Sequence, residues 1–282
     1  MKDFLLHFAK RYIAGTERAD AVAVAKELNA LDISATIDIL GENVTDEREA
    51  EGSVAEYLAL LDLIASEGVD STVSLKLTHL GLDISEDLAR VNTERVVERA
   101  AELGNSVRID MEGSAYTEDT IDIFLAVHAN HPNAGIAVQS YLIRSEKDVR
   151  LLIEMGASVR LVKGAYKEPP RVAFQKKSEV DENFSRLMKE LMLKGAHPAI
   201  ATHDERLINE AIGFAREKNI PSEGFDFEML LGIKRTLQKR LASEGFNVRV
   251  YVPYGENWLP YTLRRLSERK ENLFFVLKNI FD

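Results

Sequence analysis

The sequence predicts an α/β protein, and within that class a (β/α)8 barrel. Three observations carry the prediction. Short β-branched runs recur eight times along the chain, and each is followed by a charged, helix-compatible stretch with no reversal of direction. Parallel strands need such crossovers, and eight of them close most economically on themselves. A doubly wound open sheet is the competing architecture. It would carry a Gly-rich turn after its first strand, and no GxGxxG occurs anywhere in the chain.

In order, Met1–Ala30 reads as leading helices that cover the barrel bottom or its flank. Strands are expected at Ser34–Asp38, Thr72–Leu77, Val107–Met111, Gly135–Gln139, Ser158–Val162, Pro198–Ala201, Phe225–Met229 and Asn247–Val252. The clearest helices between them are Glu56–Glu67, Thr93–Leu103, Ser145–Met155, Glu182–Lys194, Glu205–Lys218 and Lys234–Glu244. No low-complexity tract or Pro/Gly-rich linker divides the chain, so residues 1–282 are expected to form one domain, with 271–282 a C-terminal helix.

Composition narrows the function classes. The chain has 282 residues and a formal net charge of -10, with no lysine- or arginine-rich block, which argues against nucleic-acid binding. The absence of cysteine removes disulfides, thiolate metal sites and cysteine nucleophiles together. No apolar run reaches bilayer length, and the start, MKDFLLHFAKRYIAG, lacks the h-region and cleavage site of a signal peptide. A cytoplasmic protein is the expectation. The six histidines show no ligand spacing, so no zinc site is expected.

A parallel barrel places its chemistry at the C-terminal ends of its strands. Read in order, those ends are Asp38 with Glu42, Lys76, Asp110 with Glu112, Gln139 with Tyr141, Arg160 with Lys163, His203 with Asp204, Glu228, and Tyr251. Every strand ends in a polar or ionisable side chain. Lys76 reads equally as a lysine at a strand terminus, and His203 as a neighbour of an N-cap formed by Thr202 or Asp204. The segment RLVKGAY (Arg160–Tyr166) is more specific, because Gly164 relieves steric limits where a strand turns and cations flank it. Such a turn can hold an anionic ring or a phosphate. A lysine there also permits a Schiff base.

After Pro260 the chain is helix-compatible again. Tyr261, Arg264, Arg265 and Glu268 fall at i, i+3, i+4 and i+7, which stacks a phenol, two guanidiniums and a carboxylate on one face. A helix packed on a barrel should show an apolar stripe there. Two forked cations beside an aromatic ring suit a carboxylate ligand with a carbon skeleton. The other reading is a solvated face with an ordinary Arg264–Glu268 pair.

SLKLT, RIDME, RLVKGAY, ATHD, DFEMLLG and RVYVPYGENWLPYTLRRLSER together resemble the flavin-dependent proline dehydrogenase family, in its short monofunctional bacterial form, similar to the proline dehydrogenase domain of proline utilization A. The match runs in order from about Ile13 to Glu268. It implies a distorted (βα)8 TIM-type barrel with the last helix over the mouth. By resemblance, Arg264 and Arg265 bind the substrate carboxylate, and Tyr251, Tyr261 and Leu230 wall in the pyrrolidine ring. Lys76 lies on the substrate side with Asp110 as its partner, and Arg160 lies at the flavin N5 edge. Gln139, Lys163, Gly164, Ala165, Thr202 and His203 contact FAD, and Glu42 pairs with Arg264 as a gate. The chain departs from the pattern at Glu228, where members often carry Gln, and at Leu231. The aldehyde-dehydrogenase module of the bifunctional proteins has no counterpart here.

The resemblance further implies oxidation of L-proline to Δ1-pyrroline-5-carboxylate by hydride transfer to flavin N5, the first step of proline catabolism. Electrons then pass to a membrane quinone, which implies peripheral contact with the inner face of the membrane. The segment Glu271–Asp282 is apolar but lacks a basic face, which favours packing on the barrel or a neighbouring subunit over lipid docking. Two readings from other classes stay open: a Schiff-base lyase or aldolase using Lys163 or Lys76, and a flavin-free amino-acid-binding barrel.

Overall fold

A computed structural model describes residues 9–267, with side chains to Arg265; Glu268 and the Glu271–Asp282 segment lie outside the described residues. Eight strands, β1 Ser34–Ile39, β2 Ser71–Lys76, β3 Val107–Asp110, β4 Ala134–Gln139, β5 Val159–Val162, β6 Ala199–Ala201, β7 Asp226–Leu230 and β8 Asn247–Tyr254, pair in parallel and in sequence order to a closed barrel. The helices are α1 Arg18–Asn29, α2 Glu47–Ser66, α3 Glu86–Glu102, α4 Thr117–His128, α5 Ser145–Glu154, α6 Lys177–Lys194, α7 Glu205–Lys218, α8 Arg235–Ser243 and α9 Trp258–Ser267.

The strand pattern explains where the core sits. Strand side chains alternate between faces. The outward set is apolar: Ile37, Val73, Leu75, Ile109, Ile136, Val138, Leu161, Ile200, Phe227, Val250 and Val252 are buried in one cluster with the helices. The inward set carries Asp38, Ser74, Lys76, Arg108, Asp110, Gln139, Arg160, Glu228, Arg249 and Tyr251. The hydrophobic core is thus the annulus between sheet and helices, and the lumen is polar. Barrels of this class more often fill the lumen with branched aliphatics.

Strand positions agree with the sequence reading to within one or two residues. Three helix starts agree as closely, at Ser145, Glu205 and Arg235, and three do not. α2 begins at Glu47, not Glu56, because the Asp46 side chain accepts from the backbone N–H groups of Arg48 and Glu49 (2.9 and 3.2 Å). α3 likewise begins at Glu86 behind Ser85, not at Thr93. α4 is an additional helix, in a stretch whose TIDIFLAV run is rich in strand-favouring residues.

The leading segment divides. α1 lies on the flank against β8 and β1, the place a helix after β8 would take. Residues 9–13 go to the opposite end from the bottom: Ala9, Tyr12 and Ile13 form a small second core with Leu40, Trp258 and Tyr261 at the mouth. There the Ala14 N–H donates to Pro253 O (2.8 Å). α9 is thereby held across the strand ends instead of beside the sheet.

Candidate active site

Strand ends and α9 enclose a cavity of about 480 Å³. It brings together every residue singled out in the sequence as catalytic, substrate-binding, gating or cofactor-binding. Two halves are distinguishable. Lys76, Asp110, Leu230, Tyr251 and Glu42, on or just after β1–β3, β7 and β8, form one by strand order together with Tyr261, Arg264 and Arg265 of α9; Gln139, Lys163, Gly164, Ala165, Thr202 and His203, on or just after β4–β6, form the other; Arg160 of β5 also lines the cavity.

In-register pairing sets Lys76 beside Asp110 and Leu230 beside Tyr251. Lys76 Nζ donates to Asp38 Oδ1 (2.9 Å) and to Tyr251 Oη (3.4 Å), and lies 3.8 Å from Asp110 Oδ2. Burial works against its charge, but Asp38 and Asp110 outweigh it and hold the ammonium above the ordinary lysine range. Tyr251 donates to Asp110 Oδ2 (2.7 Å), and burial with the nearby Asp110 and Asp38 charges pushes its phenol well up. Lys76 is therefore a cation and Tyr251 a neutral donor at physiological pH.

Arg160 is almost wholly buried. Its Nη1 donates to Asp110 Oδ1 (2.7 Å) and Ser74 Oγ (3.0 Å), its Nε donates to Glu228, and its guanidinium lies 5.4 Å from the Tyr251 ring centroid. Burial disfavours this cation too, and Glu228 and Asp110 more than restore it. Around this core two carboxylate oxygens, Asp38 Oδ2 and Glu228 Oε1, are buried without a hydrogen-bond partner among the described residues. Such orphaned acceptors are costly unless a donor arrives.

On the opposite half, Lys163 Nζ is held by Asp181 Oδ1 (2.6 Å) and Asp204 Oδ2 (3.0 Å). Asp204 is the N-cap of α7, accepting from the Arg206 N–H (3.1 Å). His203 Nε2 accepts from the Leu230 N–H (2.9 Å), which fixes the proton on Nδ1 in the neutral ring. Gly164 has φ +110, and a Cβ there would lie 2.3 Å from the Tyr141 ring. Only glycine fits against that ring.

At the rim, Arg264 Nη2 donates to Glu42 Oε1 (3.1 Å), and the Arg265 guanidinium stacks 5.4 Å from the Tyr261 ring centroid. Sequence reading places Asp38 and Glu228 at strand ends without a role. The closed barrel gives them one, as the direct partners of Lys76 and Arg160. Their separation along the chain hides those pairings from any local pattern.

The description "Proline dehydrogenase" belongs to the family profile that matches residues 21–278. Proline dehydrogenase 1 of Bacillus subtilis subsp. natto is 40% identical over 272 residues, covering 96% of this chain and 90% of its own. The chain belongs to the proline dehydrogenase family. The proline dehydrogenase of Deinococcus radiodurans is 34% identical over 279 residues, covering 97% of this chain and 90% of its own. Among solved structures, proline utilization A (PutA) from Bdellovibrio bacteriovorus, inactivated by N-propargylglycine, superposes with a TM-score of 0.87 at 27% identity. That match covers 94% of this chain, which spans 33% of the larger protein. A family barrel with a polar lumen and a helix across its mouth is thus the frame for the site.

Proposed function

We propose that this cavity oxidises L-proline to Δ1-pyrroline-5-carboxylate, with FAD as a non-covalently bound resident cofactor. Family membership supports the reaction class, and the observation that carries the reading is the convergence of Lys76, Arg264 and Arg265 on the cavity half walled by Tyr251, Tyr261 and Leu230. The other half fits the cofactor. Lys163 and His203 offer polar groups to a phosphate chain, and the orphaned Glu228 oxygen suits a ring N–H donor. FAD, when bound, supplies a two-electron acceptor that takes hydride at N5.

The chain's own residues bind and orient. Arg264 and Arg265 grip the substrate carboxylate with forked donors, which excludes substrates without one. Tyr251, Tyr261 and Leu230 press on the ring and shield the reacting carbon from water. The amine must be neutral, because its lone pair stabilises the iminium that forms as hydride leaves. Desolvation in the closed cavity lowers the pKa of a bound ammonium. No side chain need act as a strong base; positioning is the main contribution. Glu42, paired with Arg264, closes the rim over bound substrate.

The lysines speak against Schiff-base chemistry. Lys76 is held as an ammonium by buried carboxylates, and Lys163 is clamped between Asp181 and Asp204. A membrane quinone is the proposed final electron acceptor. Contact with the membrane is proposed to be peripheral; among the described residues no helix is long and apolar enough to cross a membrane.

The test is direct. Purified protein should be yellow, acid should release the flavin, and L-proline should bleach it without oxygen. N-propargylglycine, which carries a secondary amine and a carboxylate like proline, should inactivate the enzyme with time, and proline should protect. Colourless protein that binds proline would support the flavin-free barrel, and borohydride trapping of a carbonyl substrate the lyase.

A further inference from the structure

We propose that Thr78 and Glu112 are positioning residues that aim the Glu42 carboxylate at Arg264, and so govern proline affinity without touching proline. The inference rests on the reading of the cavity as a proline site. It starts from the β1–α2 loop, which has little regular structure to hold it. Glu42 is followed by Asn43 in the left-handed region (φ 59), a conformation Asn tolerates better than most residues but that still needs support.

That support comes from one residue of the short 3-10 turn Leu77–Leu80 after β2. Thr78 Oγ1 accepts from the Asn43 N–H (3.0 Å), and Thr78 O accepts from the Val44 N–H (3.0 Å). Glu112, just beyond β3, orients Thr78 in turn. It accepts from Thr78 N–H (3.1 Å) and from the Thr78 hydroxyl (2.5 Å). Each Thr78 bond therefore has a direction: the hydroxyl proton is committed to Glu112, which leaves its lone pair for Asn43. Both residues are buried, and neither lines the cavity.

The neighbouring contacts tighten the same loop. Asn43 Nδ2 donates to Asp83 Oδ2 (2.9 Å) and Tyr116 Oη (3.1 Å), and Gly41 lies so close to His79 that a Cβ would meet the ring at 2.2 Å. Glu112 O also accepts from Gln139 Nε2 (2.8 Å), which joins the loop support to the cofactor half of the cavity. A buried carboxylate spent on one threonine is expensive for stability alone. Its placement behind the loop that carries Glu42, a carboxylate to which Arg264 donates, points to substrate binding.

The experiment is a double-mutant cycle on the holoenzyme with Glu42→Ala, Thr78→Val and the pair. Thr78→Val should raise KM for proline roughly 5- to 10-fold, the loss of about one hydrogen bond's orientation, with flavin reduction at saturating proline within about twofold. The pair should be no worse than Glu42→Ala alone, and Thr78→Ser should restore wild-type KM. If Thr78→Val does not fold, Glu112→Gln in the same cycle carries the same expectation. Additive effects, or a fall in the reduction rate with KM unchanged, would overturn the inference while leaving the proposed reaction intact. Wild-type flavin that proline does not bleach would overturn both.

Discussion

The two ends of this barrel lumen carry similar side chains and do different things with them. At the bottom, Arg108 Nη1 donates to Ser158 O (2.6 Å) and Ser158 Oγ (3.2 Å). Arg249 donates to Asp226 (3.2 Å) and to Ala35 O (2.7 Å), and His197 Nε2 lies 2.8 Å from Asp226 Oδ1. Asp226 spends its bonds on Arg249 and His197, and the two arginines spend theirs on Asp226, Ser158 and backbone. At the mouth, Lys76, Asp38, Asp110, Arg160 and Glu228 are as dense and as buried, yet two carboxylate oxygens remain orphaned beside a cavity. Buried charge is not itself a signature of function. Buried charge left incomplete beside a space for a ligand is one.

The sharpest way to break this comparison is to disturb each end separately. Asp226→Asn should leave Arg249 and His197 without their counter-charge and cost about 3–5 kcal/mol of stability. Its KM and flavin colour should hold at temperatures where it stays folded. Thermal unfolding and steady-state kinetics on the same sample decide it, and a raised KM with unchanged Tm would erase the distinction.

His79 sharpens the comparison through pH. Burial, with Lys76 adding to it, pulls its imidazole down to about 4. As pH falls below about 6.5 the unfolded chain takes up a proton that the folded one refuses, so stability drops until about pH 4. The loss is up to about 3 kcal/mol. His79→Asn should flatten that part of the curve, measured as urea midpoints at pH 7 and 4.5; an unchanged acid slope would contradict the shift.

Arg264→Met or Arg265→Met should lower kcat/KM by about 1.5–3 kcal/mol, mainly as raised KM, while the protein stays yellow. Wild-type kinetics in both variants would return the pair to a solvated face. Tyr251→Ser is the mildest change. It removes ring packing worth about 1–3 kcal/mol, should harm proline, and should narrow its advantage over trans-4-hydroxy-L-proline. An unchanged selectivity ratio would mean that Tyr251 does not set specificity.

Much of the fold was legible because the strands obey two rules at once. Runs such as SATID and TVSLKL pair an apolar outward set with polar lumen positions, so both their existence and their functional ends could be read. The starts of α2 and α3 were not, because Asp46 and Ser85 cap helices whose first turns are charged and look like loop. The place of residues 9–13 at the mouth is not legible, because Ala9, Tyr12 and Ile13 say that the segment packs, not on which end. The site residues were recognisable by motif. The links that unite them were not: Lys76–Asp38 and Thr78–Glu112 depend on the register of neighbouring strands, and Arg160–Glu228 joins strands that are not neighbours and meet across the lumen.

The central claim is that the incomplete network at the mouth is completed by a flavin and an amino acid, and the most direct measurement is anaerobic titration of the yellow protein with L-proline. Wild type and the bottom variant Arg249→Met should bleach with the same half-saturating proline, and Arg265→Met should require roughly 10- to 100-fold more. Flavin that proline does not reduce, or a half-saturation that moves equally for Arg249→Met and Arg265→Met, would contradict it.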